Sequence, residues 1–210
     1  MKKLTILMVL LVSFSFVSKA QMNIGVKASL NMATISGDNT DETEMMPSYQ
    51  VGLVTNFNIS EAFSIQPGLM LSGKGSKKSL NDVDTRLTLN YLEVPINVIY
   101  NISDFQVFAG PYLGFGLFAD VKSDNDLADE IDAEFKNDIS LVEASTLETL
   151  YYNSFDYGLN VGAGYMVNES IQIQAGYGLG LGNIHPKVDG EDPNSDTNNS
   201  VIQLNVSYFF

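Results

Sequence analysis

The sequence predicts an all-β fold: an eight-stranded antiparallel up-and-down transmembrane β-barrel. Apolar and polar residues alternate in segments of about ten residues along most of the chain, and such alternation places one kind of side chain on each face of a strand. The connections between these segments are alternately short and long. Short periplasmic turns and long outer loops are typical of bacterial outer-membrane barrels.

The first and last segments show the alternation most clearly. Val26 and Leu30 share an apolar face in the first segment, whereas Lys27 and Asn31 share a polar face, and the last segment ends on the aromatic residue Phe210. We therefore expect an apolar face toward lipid and a polar face toward a narrow interior. The eight predicted strands are 22–33, 48–59, 63–73, 88–100, 105–118, 154–167, 171–182 and 200–210.

Residues 1–20 are predicted to be a secretory signal peptide, and residues 21–210 a single barrel domain. Two lysines precede an apolar run that ends at Val17, and Ser-Lys-Ala at 18–20 fits a cleavage site. A membrane-anchoring helix is the alternative, but this run is shorter than the roughly 20 residues that a spanning helix needs. The expected localisation is therefore the cell outer membrane.

The composition argues against several function classes. The chain contains no cysteine, so neither a disulfide nor a lipid-anchored cysteine is expected. Without the three lysines of the predicted signal peptide, eight basic residues stand against 25 acidic ones, a net charge of −17. A nucleic-acid partner is not expected, because phosphate binding requires clustered positive charge.

Charge placement distinguishes a membrane barrel from its main rival, a soluble lipocalin-type ligand carrier of the periplasm. Lys27, Glu93 and Asp156 are the charged residues that fall inside the predicted strands, whereas about a quarter to a third of a water-facing surface is charged. All three are predicted to face the lumen, with Lys27 and Glu93 as an ion pair, because a buried charge needs a partner. A change in the parity of apolar residues predicts a β-bulge near Tyr91.

Five short segments spread over the mature chain carry a family resemblance. They are GVKASLN at 25–31, PGLMLSGKG at 67–75, YLEVPI at 91–96, FAGPYLGFG at 108–116 and the tail NVSYFF. In these segments the chain resembles the PorT-like outer-membrane β-barrel proteins of Bacteroidetes-type bacteria. The resemblance implies an eight-stranded barrel in the outer membrane. It does not carry over the secretion role from which the family is named, because most members have no assigned activity.

The sequence offers little support for catalysis, a metal or a cofactor. His185 is the sole histidine and lies in an acidic loop without a second catalytic group, so no enzyme is predicted and a loop-based hydrolase stays an alternative. The same loop supplies weak calcium candidates in Asp189, Glu191, Asp192 and Asp196, although their spacing does not match an EF-hand. No cofactor is expected.

The third outer loop, 119–153, is predicted to contain an amphipathic helix. Its apolar residues recur at helical spacing. We expect the helix to cover the barrel mouth as a flap, with a docking surface for a protein partner as the alternative. The predicted helix stripe is Leu127, Ile131, Phe135, Ile139 and Val142.

The second outer loop, 74–87, is rich in basic residues, whereas the third and fourth outer loops are acidic. It carries Lys74, Lys77, Lys78 and Arg86, which are expected to pair with the acidic flap or with lipopolysaccharide phosphates.

The predicted function is structural or interaction-based, in envelope integrity, adhesion or secretion. A narrow small-solute channel and a periplasmic ligand carrier are the alternatives. The barrel is expected to be a monomer in contact with outer-membrane lipid and lipopolysaccharide, and to offer acidic outer loops to a protein partner. The resemblance of Tyr208 and Phe210 to the terminal aromatic signal of outer-membrane proteins implies recognition by the barrel-assembly machinery.

Overall fold

The computed structural model describes residues 22–38, 40, 42–80, 83–123, 132–145 and 149–210. The predicted signal peptide lies outside these residues. The described elements are β1 (Met22–Gly37), β2 (Thr43–Glu44), β3 (Met46–Asn58), β4 (Phe63–Leu80), β5 (Val83–Ile102), β6 (Phe105–Ser123), β7 (Asp132–Phe135), β8 (Asp138–Ile139), α1 (Leu141–Ser145), β9 (Thr149–Tyr152), β10 (Phe155–Met166), β11 (Ile171–Gly180), β12 (Lys187–Val188) and β13 (Thr197–Phe209).

Eight long strands form a closed antiparallel barrel, as the alternation predicts. Their order around the ring is β1, β3, β4, β5, β6, β10, β11 and β13. The ring closes where β13 pairs with β1, from Gly25 opposite Phe209 to Gly37 opposite Thr197. Closure gives every long strand two neighbours, so the barrel has no free sheet edge along its paired length.

The two faces of the barrel wall have the predicted character. Val26 and Leu30 are exposed on the outer face of β1, whereas Lys27 and Asn31 are buried on the inner face. The same parity recurs on β13, where Ile202, Leu204 and other apolar side chains point outward. No helix in the described parts of the chain is long and apolar enough to cross a membrane.

The second outer loop is not a loop but the end of a long hairpin. β4 continues to Leu80 and β5 begins at Val83, with paired residues throughout. Two of its cations are already paired within the protein, because Lys77 lies 2.6 Å from Asp84 and Lys78 lies 2.7 Å from Glu42. The prediction was wrong here because a strand that rises above the membrane no longer needs one uniformly apolar face.

A β-bulge interrupts the pairing of β5 with β6 between Asn90 and Tyr91, which confirms the predicted place. The extra residue belongs to β6, where Asn90 faces Phe118, Tyr91 faces Gly116 and Leu117 has no partner. β5 itself keeps one parity: Leu89 and Tyr91 point inward at the mouth, whereas the polar Glu93 and Asn97 point inward below, together with Pro95 and Ile99. The parity of the apolar residues in the β5 sequence changes near Tyr91 because the interior is apolar at the mouth and more polar below it.

Where the structure describes the third outer loop, the predicted helix is reduced to a single turn. Phe135 ends β7, Ile139 lies in β8 and only Val142 lies in a helix, the single turn α1. The other two stripe residues, Leu127 and Ile131, lie outside the described residues. β7 pairs with β9 and β8 pairs with β12, both in parallel, and these ladders satisfy backbone groups that a helix would have satisfied internally.

Glycines on the inner wall make room for large aromatic rings. A Cβ added to Gly162 would lie 2.6 Å from the Phe108 ring and 2.3 Å from the Ala175 carbonyl oxygen, and Gly176 also lies beneath that ring. Gly158 accommodates Tyr112 in the same way. The glycine-rich polar face therefore lets aromatic side chains fill a barrel of only eight strands.

Candidate functional site

The centre of the barrel holds a buried cluster of three charges. The ammonium Nζ of Lys74 lies 2.6 Å from Glu93 Oε2 and 2.9 Å from Asp156 Oδ2, and none of the three side chains is more than 3% exposed. The Tyr112 ring lies beside the ammonium, with its centroid 3.8 Å from Nζ. One cation therefore neutralises part of two carboxylates in a water-poor interior, where unpaired charges are costly.

Strand register places these three residues together. Gly114 of β6 is opposite Glu93 on β5 and opposite Asp156 on β10, so the two carboxylates flank a residue that has no side chain. Lys74 comes from β4 on the far side of β5, where it is opposite Leu89. Its long side chain extends through the interior to both acids.

The predicted ion pair between Lys27 and Glu93 is not formed, and this expectation is corrected. Lys27 Nζ instead donates a 3.0 Å hydrogen bond to Gln174 Oε1. Glu93 accepts a 2.9 Å hydrogen bond from Gln50 Nε2 in addition to its contact with Lys74. Parity alone identified the inward face correctly but did not show that a second lysine, Lys74, lies closer to the carboxylate.

Lys74 is the residue that sequence reasoning assigned to the wrong environment. A usable signal was present, because Gly68, Met70 and Ser72 share the inward parity that Lys74 continues. With Lys74 included, the two lysines balance Glu93 and Asp156, the carboxylates of the inner wall. The interior is therefore close to electrically neutral despite the strongly acidic chain.

Amide side chains cross the interior below the charged cluster. Gln66 Nε2 donates to Gln172 Oε1 at 3.1 Å, Gln172 Nε2 donates to Gln106 Oε1 at 2.7 Å, and Gln106 Nε2 donates to Asn101 Oδ1 at 2.9 Å. The cavity between this layer and Glu93 has a volume of about 10 Å³, roughly enough for one water molecule. Side chains thus occupy the lumen at this level.

An apolar cluster occupies the outer mouth of the barrel. Its buried members are Ile35, Leu89, Tyr91, Tyr152 and Ile184. The third outer loop contributes Phe135, whose ring centroid lies 5.2 Å from that of Tyr91, and Phe135 also lies against Gly116. The loop therefore covers the mouth as a flap, built from the β7–β9 pair rather than from a helix.

Tyr152 belongs to this flap, and its environment is dry. Burial raises the pKa of its hydroxyl to about 12, because the phenolate form would lose its hydration.

His185 and the four calcium candidates do not converge on one site. The backbone N–H of His185 donates to Asn183 Oδ1, and partial burial lowers the pKa of its imidazole. Asp192 pairs with Lys187 at 2.8 Å, whereas Asp196 lies near Asn183, whose Nδ2 is 3.5 Å from Asp196 Oδ1. In the part of the chain that the structure describes, no three His, Asp or Glu residues are grouped to hold a metal.

The remaining two candidates, Asp189 and Glu191, lie at a tight turn. Asp189 and Gly190 both have positive φ, and Val188 and Glu191 exchange two backbone hydrogen bonds of 3.0 Å around them. This geometry is typical of a two-residue hairpin turn with Asp-Gly at its centre. The turn presents both carboxylates to solvent.

The terminal aromatic residues lie at the periplasmic end of the closing strand. The Phe210 backbone N–H donates to the Ile24 carbonyl oxygen at 2.9 Å, which continues the pairing of β13 with β1. Its side chain is 78% exposed and packs edge-on against Tyr208, with centroids 5.6 Å apart. Both rings point outward, where an aromatic belt meets the membrane interface.

Solved outer-membrane proteins are among those to which this chain is similar. Neisserial surface protein A covers 90% of this chain and 97% of its own, with 12% identity and a TM-score of 0.44. The attachment invasion locus protein Ail of Yersinia pestis has the same coverages, with 8% identity and a TM-score of 0.44. The outer membrane protein OprG of Pseudomonas aeruginosa covers 90% of this chain and 95% of its own, with 14% identity and a TM-score of 0.34.

No curated protein sequence matches the chain. A family model does match, that of the outer membrane protein beta-barrel domain, over residues 16–186. This match spans most of the chain and includes seven of the eight barrel strands. The protein therefore belongs to the outer membrane protein beta-barrel domain family and is an integral protein of the outer membrane.

Proposed function

We propose that this protein is a non-conducting barrel that works by binding, as a scaffold that displays its outer loops at the cell surface. The observation that carries the proposal is the filled interior. The Lys74 cluster, the amide layer and the apolar mouth occupy successive levels of the lumen. An eight-stranded barrel has room for little besides side chains, so its functional surface is expected outside the wall.

The finer family assignment is part of this proposal. The segments 25–31, 67–75, 91–96 and 108–116 support a PorT-like member of the outer-membrane barrel family. Within that assignment, envelope integrity, adhesion and support of a secretion complex are the functions compatible with an interaction surface. We also propose that residues 1–20 direct export and are then removed.

A catalytic role is not proposed. Among the described residues, the His185 imidazole forms no hydrogen bond or ion pair with a nucleophile or carboxylate; its one hydrogen bond is through the backbone N–H. In the described ranges, no three His, Asp or Glu side chains are grouped to hold a metal ion there. A His185→Ala variant is expected to keep all binding functions of the protein.

Planar-bilayer recording tests the proposal. The purified barrel should show no steady unitary conductance in symmetrical potassium chloride, because buried, mutually paired side chains occupy the lumen at the Lys74 level. A reproducible conductance from the barrel with its apolar mouth intact would favour the solute-channel alternative. Solubility of the mature chain without detergent would favour the periplasmic carrier, because a carrier exposes a polar outer wall.

The charges of the outer loops favour a positively charged partner over lipopolysaccharide. Lipopolysaccharide phosphates would meet loop cations Lys77 and Lys78 that already have carboxylate partners, so direct phosphate binding has little support there. Membrane lipid still contacts the apolar outer wall. A protein or peptide with positive charge is the occupant that the outer loops favour.

A further inference from the structure

A cleft opens on the outer surface between α1 and the 188–194 turn. Its volume is about 540 Å³, and Leu141, Val188 and Pro193 form its apolar part. We propose that this cleft docks a cationic peptide segment that carries one aliphatic side chain. The inference deepens the binding function proposed above and rests on it.

The apolar part of the cleft is exposed without a covering partner. Leu141 of the cleft is 67% exposed. Val142, its neighbour on α1 outside the cleft lining, is 73% exposed, and α1 has no buried residue. Both aliphatic side chains therefore remain in contact with water on an outer loop, where polar residues are usual. Covering such side chains is favourable, with about 25 cal/mol gained per Å² of apolar surface removed from water.

Local hydrogen bonds hold this exposed turn in place. The Ser140 backbone N–H donates to Glu143 Oε2 at 2.9 Å, and the Glu143 backbone N–H donates to Ser140 Oγ at 3.3 Å, a reciprocal capping box. Lys136 forms an ion pair with Glu143. The helix is therefore fixed by its first turn rather than by burial of its apolar side chains.

The opposite wall of the cleft is also rigid. Ile139 pairs with Val188 in the β8–β12 ladder, and the Gly190 N–H donates to Asp138 Oδ1 at 3.1 Å. Gly190 has φ +82°, which an L side chain rarely adopts. The cleft is thus formed before any partner arrives, and a preformed site reduces the entropic cost of binding.

Acidic groups line the rim of the cleft beside this apolar floor. Asp189, Glu191 and Asp192 all border it. Asp192 is paired with Lys187, whereas no described basic side chain forms an ion pair with Asp189 or Glu191. An apolar floor with two unneutralised carboxylates above it matches a segment in which an aliphatic residue is flanked by lysine or arginine.

Charge argues against other occupants. A second copy of this chain would bring another acidic surface to the rim, and an anionic lipid headgroup would bring phosphate. A calcium ion could neutralise the carboxylates, but it would leave the exposed Leu141 uncovered. Among the described residues, no three His, Asp or Glu side chains are grouped to hold such an ion. The cationic, aliphatic segment accounts for both halves of the cleft.

A peptide titration tests the proposal on the full barrel in nanodiscs of zwitterionic lipid. The probe is a fluorescent pentapeptide of four lysines around one leucine, and the readout is its anisotropy. The matched probe with serine in place of leucine should bind about tenfold more weakly, since it cannot bury the aliphatic side chain. A probe with glutamates in place of lysines should not bind, and calcium chloride should displace the cationic probe only at screening concentrations.

Two single and two double variants localise the binding. Leu141→Ser should abolish the preference for leucine over serine, whereas Val142→Ser, which lies outside the cleft lining, should leave that preference intact. Asp189→Asn with Glu191→Gln should weaken the leucine probe about fivefold to tenfold, since each exposed ion pair contributes modestly. The matched control, Asp132→Asn with Glu134→Gln, removes the same charge from the same outer region and should change affinity less than twofold.

Equal binding of the leucine and serine probes would overturn the proposal. An equal loss in the rim variant and the control variant would also overturn it, because attraction would then be a property of the whole acidic surface. Heat-modifiable gel migration of each variant verifies that the barrel is folded. A conductance measured in bilayers would refute the non-conducting scaffold, whereas probe binding that fails in a non-conducting barrel refutes only this docking site.

Discussion

Replacing Lys74 by methionine tests whether the buried charge cluster holds the barrel together. Methionine keeps most of the side-chain volume but removes the charge, so Glu93 and Asp156 lose their shared cation. Both carboxylates are at most 2% exposed. Breaking a buried pair in this way costs about 3–5 kcal/mol, because a buried charge is left without compensation.

The contributions of the neighbouring groups refine this magnitude. Glu93 keeps the hydrogen bond from Gln50, and Asp156 keeps weaker contacts with Tyr112 and Asn199 at 3.4 Å. Those donors limit the loss to the lower part of the range, about 3 kcal/mol. Lys27→Met should cost less, about 1–2 kcal/mol, because it removes one charged hydrogen bond to Gln174 and leaves no carboxylate directly unpaired.

Urea unfolding of the barrel in lipid vesicles measures these differences in unfolding free energy. Heat-modifiable gel migration serves as the readout, because it does not depend on tryptophan fluorescence. The triple variant Lys74→Met, Glu93→Gln and Asp156→Asn should recover most of the loss, since it removes all three charges together. A loss below about 1 kcal/mol for Lys74→Met would refute the reasoning. Additive losses in the triple variant would show that the three side chains do not interact.

Further expectations concern single positions. Gly162→Ala should lower the unfolding free energy by about 1–3 kcal/mol in the same assay, because its methyl group would meet the Phe108 ring and a backbone oxygen; an unchanged midpoint would contradict the close packing. Hydrogen bonding from Lys136 lowers the pKa of Glu143 to about 2. The contact that stabilises α1 is therefore complete above the ordinary pKa near 4.5 and is lost as pH falls through about 2, which NMR titration of the carboxylate would follow. Deletion of Phe210 should sharply reduce assembly in cells while the purified chain still folds into lipid; normal assembly would leave Phe210 as an interfacial anchor.

The order of apolar and polar residues alone determined the barrel. A period of two assigns each side chain to lipid or lumen, and the same pattern in Val26, Lys27, Leu30 and Asn31 holds in the folded wall. The same alternation predicts the short turns and the last strand, which ends on an aromatic residue and closes the barrel. These features depend on local geometry, in which each residue has one of two faces, so no knowledge of distant neighbours was required.

Tertiary structure decided which inward groups meet. Parity places Lys27 and Glu93 on the inner wall but does not give their partners, because those depend on the register between strands, which sets Gly114 opposite both Glu93 and Asp156. The third outer loop shows the same limit. Its apolar residues fit a helix by spacing, yet Phe135 packs on Tyr91 in the mouth and its strand pairs with β9. Apolar spacing reports that side chains will be buried, whereas the surface that buries them exists only once the barrel has closed.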